Sequence, residues 1–398
     1  MTITVVGIGA DGWDGLGETA KRSLIAAPLV VGSERQLALL PATVPGDRRT
    51  WPSPIEPLVD ELAAGARGDV AVLASGNPML HGIGATLARR AGAERLHVIP
   101  AASAFALACA RLGWAQADVE VISAVARPPE ALARALQPGR RIVAYVTGSD
   151  GAARIARVLC ERGFGASPFT VLEQLGGPRE QRLDTTAAQA KGHVADPLHV
   201  VAIAVQGGPG HPRTPGLPDE AFASDGQLTK RHVRAMTIAA LTPLPGQLLW
   251  DVGAGSGSIA VEWLRAESSV RAIAIEGRED RAARIERNAL ALGVPELGVV
   301  VGRAPDVLHA LAAPDAIFIG GGITTPGLLE RCWAALKGGG RLVANTVTLE
   351  GERALVDARL AHGGGLTRID VAQADPVGTF TAWRAQMTVV QWSATKVP

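Results

Sequence analysis

Residues 249–260 read Leu249-Trp250-Asp251-Val252-Gly253-Ala254-Gly255-Ser256-Gly257-Ser258-Ile259-Ala260: an apolar strand-like run, a glycine-rich turn and the opening of a helix. Glycines at 253, 255 and 257 let a ligand approach the backbone without a Cβ in the way. The spacing is Gly-x-Gly-x-Gly, whereas dinucleotide sites use Gly-x-Gly-x-x-Gly and seat a pyrophosphate on the helix N-terminus. The acid ahead of the turn, Asp251, repels a pyrophosphate and attracts, directly or through water, an ammonium or a sulfonium. Glu276 ends the next strand-like run, nineteen residues after Gly257. A carboxylate there can accept both hydroxyls of a ribose. The pattern asks for a nucleoside that carries cations and no phosphate.

S-adenosylmethionine meets that description, with Gly253, Ala254, Gly255, Ser256, Gly257 and Glu276 as its contacts. The competing reading, a nucleotide-dependent oxidoreductase, is disfavoured by Asp251 and by the missing third-glycine spacing. The segment Gly302-Arg303-Ala304-Pro305-Asp306 follows the third run, where Ala304 can edge the adenine. Upstream, Thr229 precedes a helical stretch; it is either the N-cap of that helix or part of a lid over the cofactor.

Working outward, both halves alternate β-branched runs with amphipathic stretches, the pattern of βαβ units and a mainly parallel sheet. In the second half, runs at 248–252, 270–275, 298–301, 316–319, 341–345 and 367–371 are followed by a last run at 387–392. No helix fits before that last run, so it is expected to pair antiparallel, giving a Rossmann-like class I methyltransferase with a seven-stranded sheet. Residues 206–227 hold four Pro among several Gly and read as a linker. The expected division is therefore 1–205, a linker at 206–227, and 228–398.

In the first half the strand-like runs are 3–7, 70–74, 97–99, 119–122, 141–146, 169–172 and 199–205. Three small-residue loops follow strands: within 3–12, Gly7-Ile8-Gly9-Ala10-Asp11; within 74–84, Ser75-Gly76-Asn77-Pro78 and on through His81; and within 98–105, Ala101-Ala102-Ser103. Brought together at one sheet edge, they form a cleft for a nucleoside. Asp11 either faces that ligand or caps the following helix. His81, the one histidine in these loops, is a general base or a hydrogen-bonded structural residue. Tyr145, the only tyrosine in the chain, reads as core packing.

The run GQLTKRHVR…LLWDVGAGSGSIAVEW…AIAIEGRED…GRAPDVL…DAIFIGGG resembles the decarboxylating methyltransferase domain of the cobalamin pathway that works on precorrins. The three loops of the first half resemble the tetrapyrrole methylase family, whose fold sets S-adenosylmethionine between two α/β subdomains. Three departures stand out: Asn77 where that family usually has Asp, Ala101-Ala102-Ser103 in a turn usually richer in Gly and Ser, and Ser123–Arg127 where relatives often carry His-Gly-Arg. The resemblance implies cofactor contacts at Thr229, Gly253 to Gly257, Glu276 and Ala304, and one S-adenosylmethionine per domain. In the first half the contacts would be Gly7, Gly9, Asp11, Ser75, Gly76, Asn77, Ala101, Ala102 and Ser103. It also implies methylation of a precorrin at ring carbons 5 and 15, with loss of carbon dioxide from an acetate side chain. Gly320, Gly321, Gly322 and Thr346 are candidates for the substrate side, with Asn345 and His81 as catalytic candidates. An alternative keeps one active methyltransferase site and makes the first half a non-catalytic binding module.

Composition narrows the rest. Lys and Arg total 39 against 38 Asp and Glu, so the net charge of +1 gives no field to hold nucleic acid or an anionic membrane. Only five of those basic residues are Lys, at 21, 191, 230, 337 and 396. The Arg excess is either a set of forks for carboxylates or a compositional bias, and its even spread favours the bias. Three cysteines far apart and eight unclustered histidines offer no disulfide framework and no metal site. With no apolar run long enough for a membrane span and no leader-like start, the chain is expected to be cytoplasmic. A homo-oligomer is expected.

Overall fold

The computed structural model describes residues 2–65 and 69–398, and the chain falls into two compact units. One comprises Met1–Pro129 with Gln137–Pro209; the other comprises Glu130–Leu136 with Gly210–Pro398.

The first unit holds two five-stranded sheets. In the first sheet, β1 (Ile3–Ile8), β2 (Leu29–Gly32), β3 (Asp47–Thr50), β4 (Val70–Ser75) and β5 (Leu96–Ile99) run parallel in the order β3-β2-β4-β1-β5. Because β4, β1 and β5 are neighbours, the loops leaving their C-terminal ends emerge side by side. Both faces of β1 and β4 are buried, which is why these strands read as unbroken apolar runs. The second sheet contains β6 (Val119–Ser123), β7 (Arg141–Tyr145), β8 (Pro168–Glu173), β9 (Gln181–Thr186) and β10 (His199–Ala204). Its order is β6-β7-β10-β8-β9, mixed in direction, with β10 antiparallel to both neighbours.

The second unit is built on a seven-stranded sheet of order β13-β12-β11-β14-β15-β19-β16. Its strands are β11 (Leu248–Val252), β12 (Arg271–Glu276), β13 (Gly298–Val301), β14 (Ala316–Ile319), β15 (Arg341–Thr346), β16 (Gly365–Ile369) and β19 (Val389–Thr395). The first five are parallel, and β19 inserts antiparallel between β15 and β16. The excursion between β16 and β19 is itself a hairpin, β17 (Ala372–Val377) with β18 (Phe380–Ala385), lying outside the main sheet. One apolar cluster on each side of the sheet completes the sandwich, around Trp263 and Ile285 on one face and Trp250 and Trp392 on the other. Leu217 and Phe222, from the stretch read as a linker, are buried in the first of those clusters.

Candidate functional sites

In the second unit the strand order reverses beside β11, so the loops after β11 and β14 part at a topological switch point. The glycine turn after β11 is fixed from both sides. Gly253 and Ala254 donate to the Ile275 carbonyl at 3.0 and 3.2 Å, and Gly257 has a φ of 74° with Ile285 packed where a side chain would begin. A Cβ on Gly253 would lie 3.0 Å from the Gly321 nitrogen, which places the 320–322 loop directly against the turn.

Two carboxylates frame this turn. Glu276 is almost fully buried, and its two oxygens accept from the Gly255 and Arg278 amides at 2.8 and 3.1 Å. It therefore shapes the loop as well as offering remaining lone pairs to a diol. Asp251 is 1% exposed; its Oδ2 accepts from the Ala260 amide at 3.1 Å, while Oδ1 has no partner among the described residues. Burial, with some repulsion from Glu276, pushes the Asp251 carboxyl up to about 7. A buried acceptor without a donor, beside a glycine cradle, fits a ligand that brings a cation or an N–H.

Residues 223–229 form a strap tied down beside this turn. The buried Asn288 amide accepts from the Ala223 amide at 2.9 Å and donates to the Ala223 carbonyl and to Ser256 O of the turn itself. Asp225 pairs with Arg281 at 2.9 Å and Arg284 at 3.2 Å, which hold its carboxyl down to about 2. The Gln227 carbonyl lies 3.5 Å from where a Gly255 Cβ would sit. At the far end, the Arg234 guanidinium, wholly buried, donates to Thr229 O at 2.6 Å, Glu262 at 2.6 Å, Asp219 at 3.2 Å and Leu217 O. Thr229 does not cap the following helix: Arg231–Leu241 starts after Lys230, whose side chain makes no cap bond. Thr229 is instead held outside the helix by Arg234. Arg234, Asn288 and Asp225 carried no signal in the sequence, because their partners lie far away in the chain.

Asn345 and Thr346 end β15. The Asn345 amide is engaged on both sides, donating to Thr237 Oγ1 at 2.9 Å and accepting from Gln391 at 2.9 Å. Thr346 Oγ1 accepts from the Thr348 amide. Ala304 packs on the core cluster around Trp250.

In the first unit the three loops meet. Gly76 donates to Ile8 O at 3.0 Å, and Ala101 donates to Gly76 O at 3.3 Å. A Cβ on Gly7 would fall 2.1 Å from Gly76 O, so the loops close only around a glycine. They border a cavity of about 560 Å³ whose wall includes Gly9, Ser75, Gly76, Ala102, His81 and Tyr145. Gly7, Asp11, Asn77, Ala101 and Ser103 are not part of that wall. Asn77 Oδ1 accepts from the Met79 amide, and Ser103 caps helix Ala104–Leu112 through the Ala106 amide. Asp11 does not cap the following helix, which begins at Glu18 with Gly17 at its N-cap; its carboxylate packs against Gly9 and Gly15.

Tyr145 packs on the core around Val143 and Val200, as expected, and also lines the cavity; its hydroxyl accepts from the Phe105 amide at 3.0 Å. His81 packs edge-on to Tyr145, and burial together with Arg127 lowers its pKa, favouring the neutral ring. Arg35 and Gln36 also border the cavity; both bond to Ser75 Oγ, at 2.9 and 3.1 Å. The sequence reading passed over them because β2 is only four residues long and Arg35 looks like an ordinary polar residue of a short helix.

Among the described residues, no group of three His, Cys, Asp or Glu side chains is placed to hold a metal ion. No helix among them is long and apolar enough to cross a membrane. All three cysteines are free, and burial pushes the Cys332 thiol up to about 12, so it is no nucleophile.

Two α/β units, each with glycine-bearing loops gathered at the C-terminal edge of its parallel strands, define a two-domain methyltransferase. Residues 2–191 match the family described as tetrapyrrole (corrin/porphyrin) methylases, and residues 220–396 match the precorrin methyltransferase domain. The chain is 46% identical to a precorrin-6Y C(5,15)-methyltransferase [decarboxylating] from Sinorhizobium sp., covering 99% of this chain and 96% of that one. It is 49% identical to the protein of the same name from Mycobacterium tuberculosis CDC 1551, covering 99% and 100%. The crystal structure of the C-terminal domain of precorrin-6Y C5,15-methyltransferase from Rhodobacter capsulatus is 48% identical, covers 47% of this chain and 100% of that one, and has a TM-score of 0.45. The chain belongs to the precorrin-6Y C(5,15)-methyltransferase (decarboxylating) family.

Proposed function

We propose that this chain methylates precorrin-6Y at ring carbons 5 and 15 and decarboxylates it, with one S-adenosylmethionine site in each unit. The first unit would act at carbon 5, and the second at carbon 15 with loss of carbon dioxide from an acetate side chain. The names of relatives aligned over 99% of the chain support the substrate. The observation that carries the cofactor is Asp251: a buried carboxylate oxygen with no partner among the described residues, at the foot of a glycine cradle.

When bound, S-adenosylmethionine supplies a sulfonium methyl, which a nucleophilic ring carbon takes as the carbon–sulfur bond breaks. The residues of the chain bind and align. Asp251 faces the cationic end, directly or through water, and Glu276 accepts from the ribose. The turn at 253–257 lets the ligand lie against the backbone, with Thr229 and Ala304 at its margins. Gly320, Gly321, Gly322 and Thr346 border the substrate side. A reduced tetrapyrrole already has enamine-like carbons, so positioning and exclusion of water supply most of what the protein must add. Asn345 then serves to fix the end of β15 through Thr237 and Gln391. In the first unit Gly9, Ser75, Gly76 and Ala102 would hold the cofactor, with the flanking loop residues shaping the cradle. The reading includes a homo-oligomer and a cytoplasmic setting.

The test is calorimetric titration of S-adenosylmethionine into the full chain, followed by the product mass from precorrin-6Y. Two sites, and a product that has gained two methyl groups and lost one carbon dioxide, are expected. One site only, with a single methyl gained, would leave the first unit as a binding module.

A further inference from the structure

One cation stands in the wall of the first unit's cavity without an anion. Arg35 lies in helix Glu34–Ala38, just after β2. Its Nη2 donates to Ser75 Oγ at 2.9 Å, and no carboxylate among the described residues forms an ion pair with it. Arg49, Arg111 and Arg140 of this unit each have a carboxylate partner, Glu61, Glu180 and Glu120, whereas Arg48 outside the cavity wall donates to the Leu37 and Pro41 carbonyls. Asp196 acts on Arg35 through space without forming an ion pair, and its Oδ1 accepts from Gln174 and the Leu198 amide. Burial lowers the Arg35 pKa, a desolvation cost that the pull of Asp196 offsets only in part.

Its position is fixed. Ser75 Oγ also accepts from Gln36 at 3.1 Å, and Gln36 Oε1 closes the capping box on the Ser33 amide at 2.8 Å. A planar fork of five N–H donors held in this way matches the two oxygens of a carboxylate. We propose that Arg35 is the carboxylate-recognition residue of the first unit's cleft. This rests on reading that cleft as a methyl-transfer site. The shared chemistry is a carboxylate, and it has two sources there: an acidic side chain of the tetrapyrrole, or the α-carboxylate of S-adenosylmethionine.

The test compares the full chain with Arg35→Gln and Arg35→Lys, each checked for unchanged thermal unfolding. Methyl transfer at carbon 5 of precorrin-6Y is followed by product mass, and for each ligand KM is measured beside a calorimetric Kd. Losing a charge-assisted fork should raise one KM about tenfold or more, with Lys recovering part of the loss. A rise confined to the tetrapyrrole assigns Arg35 to the substrate's acidic side chains; a rise confined to S-adenosylmethionine assigns it to the methionine carboxylate. Both KM values unchanged would overturn the proposal. The underlying reading is tested apart, with bulky residues at Gly9 and Gly76. If those variants still make both methyl transfers at full rate, the cleft is not a catalyst and Arg35 falls with it; if they lose one transfer while the Arg35 variants lose nothing, Arg35 alone is wrong.

Discussion

Asp251 is where the proposed cofactor site and the fold meet in a single side chain. In the free protein its carboxyl keeps a proton up to about pH 7, against 3.8 for an unperturbed group. The folded state therefore binds more protons than the unfolded chain between those values, and the residue erodes stability as pH rises from 4 to 7. A cation bound beside it favours the charged form, so binding below pH 7 releases a proton. S-adenosylmethionine affinity at this site should weaken by up to about tenfold per unit as pH falls below 7, and level off above it. Asp251→Asn should flatten that profile and lower affinity while leaving the free protein at least as stable at pH 8; calorimetry and thermal unfolding across pH 5.5–8.5 check both. A steep profile in the variant would place the titrating group elsewhere. The residue's type and place were legible because it ends an apolar run before a glycine turn. That Glu276 also staples the turn through Gly255 was not, since a backbone partner leaves no mark in side-chain pattern.

At the scale of elements, the strap at 223–229 is held by contacts that pH does not loosen. The Asp225 carboxyl, held at about 2, keeps its ion pairs with Arg281 and Arg284 above pH 4 and loses them only as pH falls through 2. Asp225→Asn should raise the KM for S-adenosylmethionine at the second site several-fold with kcat nearly unchanged, because the strap positions and does not react. Equal losses in kcat and kcat/KM would give it a part in the transition state. Arg234 is a different case, a buried ion pair with Glu262. Arg234→Met should cost about 3–5 kcal/mol by leaving Glu262 buried and unpaired, and adding Glu262→Leu should return part of it. Denaturant unfolding followed by the buried Trp250, Trp263 and Trp392 reads this directly. Elements were legible in the sequence where both faces are buried, as in β11, β12 and β14. They were missed where short or polar: β2, the exposed edges β3 and β9, and the hairpin β17–β18, whose Asp375-Pro376 argues against a strand.

For the molecule as a whole, the division between units matters for any fragment. Leu217 and Phe222 lie in the core of the second unit, and Asp219 reaches Arg234, so residues 210–227 belong to its fold. A fragment of residues 210–398 should fold and bind S-adenosylmethionine; one starting at 228 should unfold at a markedly lower temperature. Equal melting temperatures would show that the segment is dispensable. The composition shift at 206–227 was visible in the sequence, but prolines mark a break in regular structure and not the absence of packing. The first unit's cavity, about 560 Å³, has a consequence of another kind. Space on that scale suits one ligand of drug-like size, not a nucleoside and a macrocycle enclosed together. On the proposed function, a nucleoside filling this space would lie innermost and the ring would cover it from the mouth, an ordered addition. A non-reacting tetrapyrrole should accordingly inhibit uncompetitively against S-adenosylmethionine, the signature of a second ligand that binds only after the first is in place.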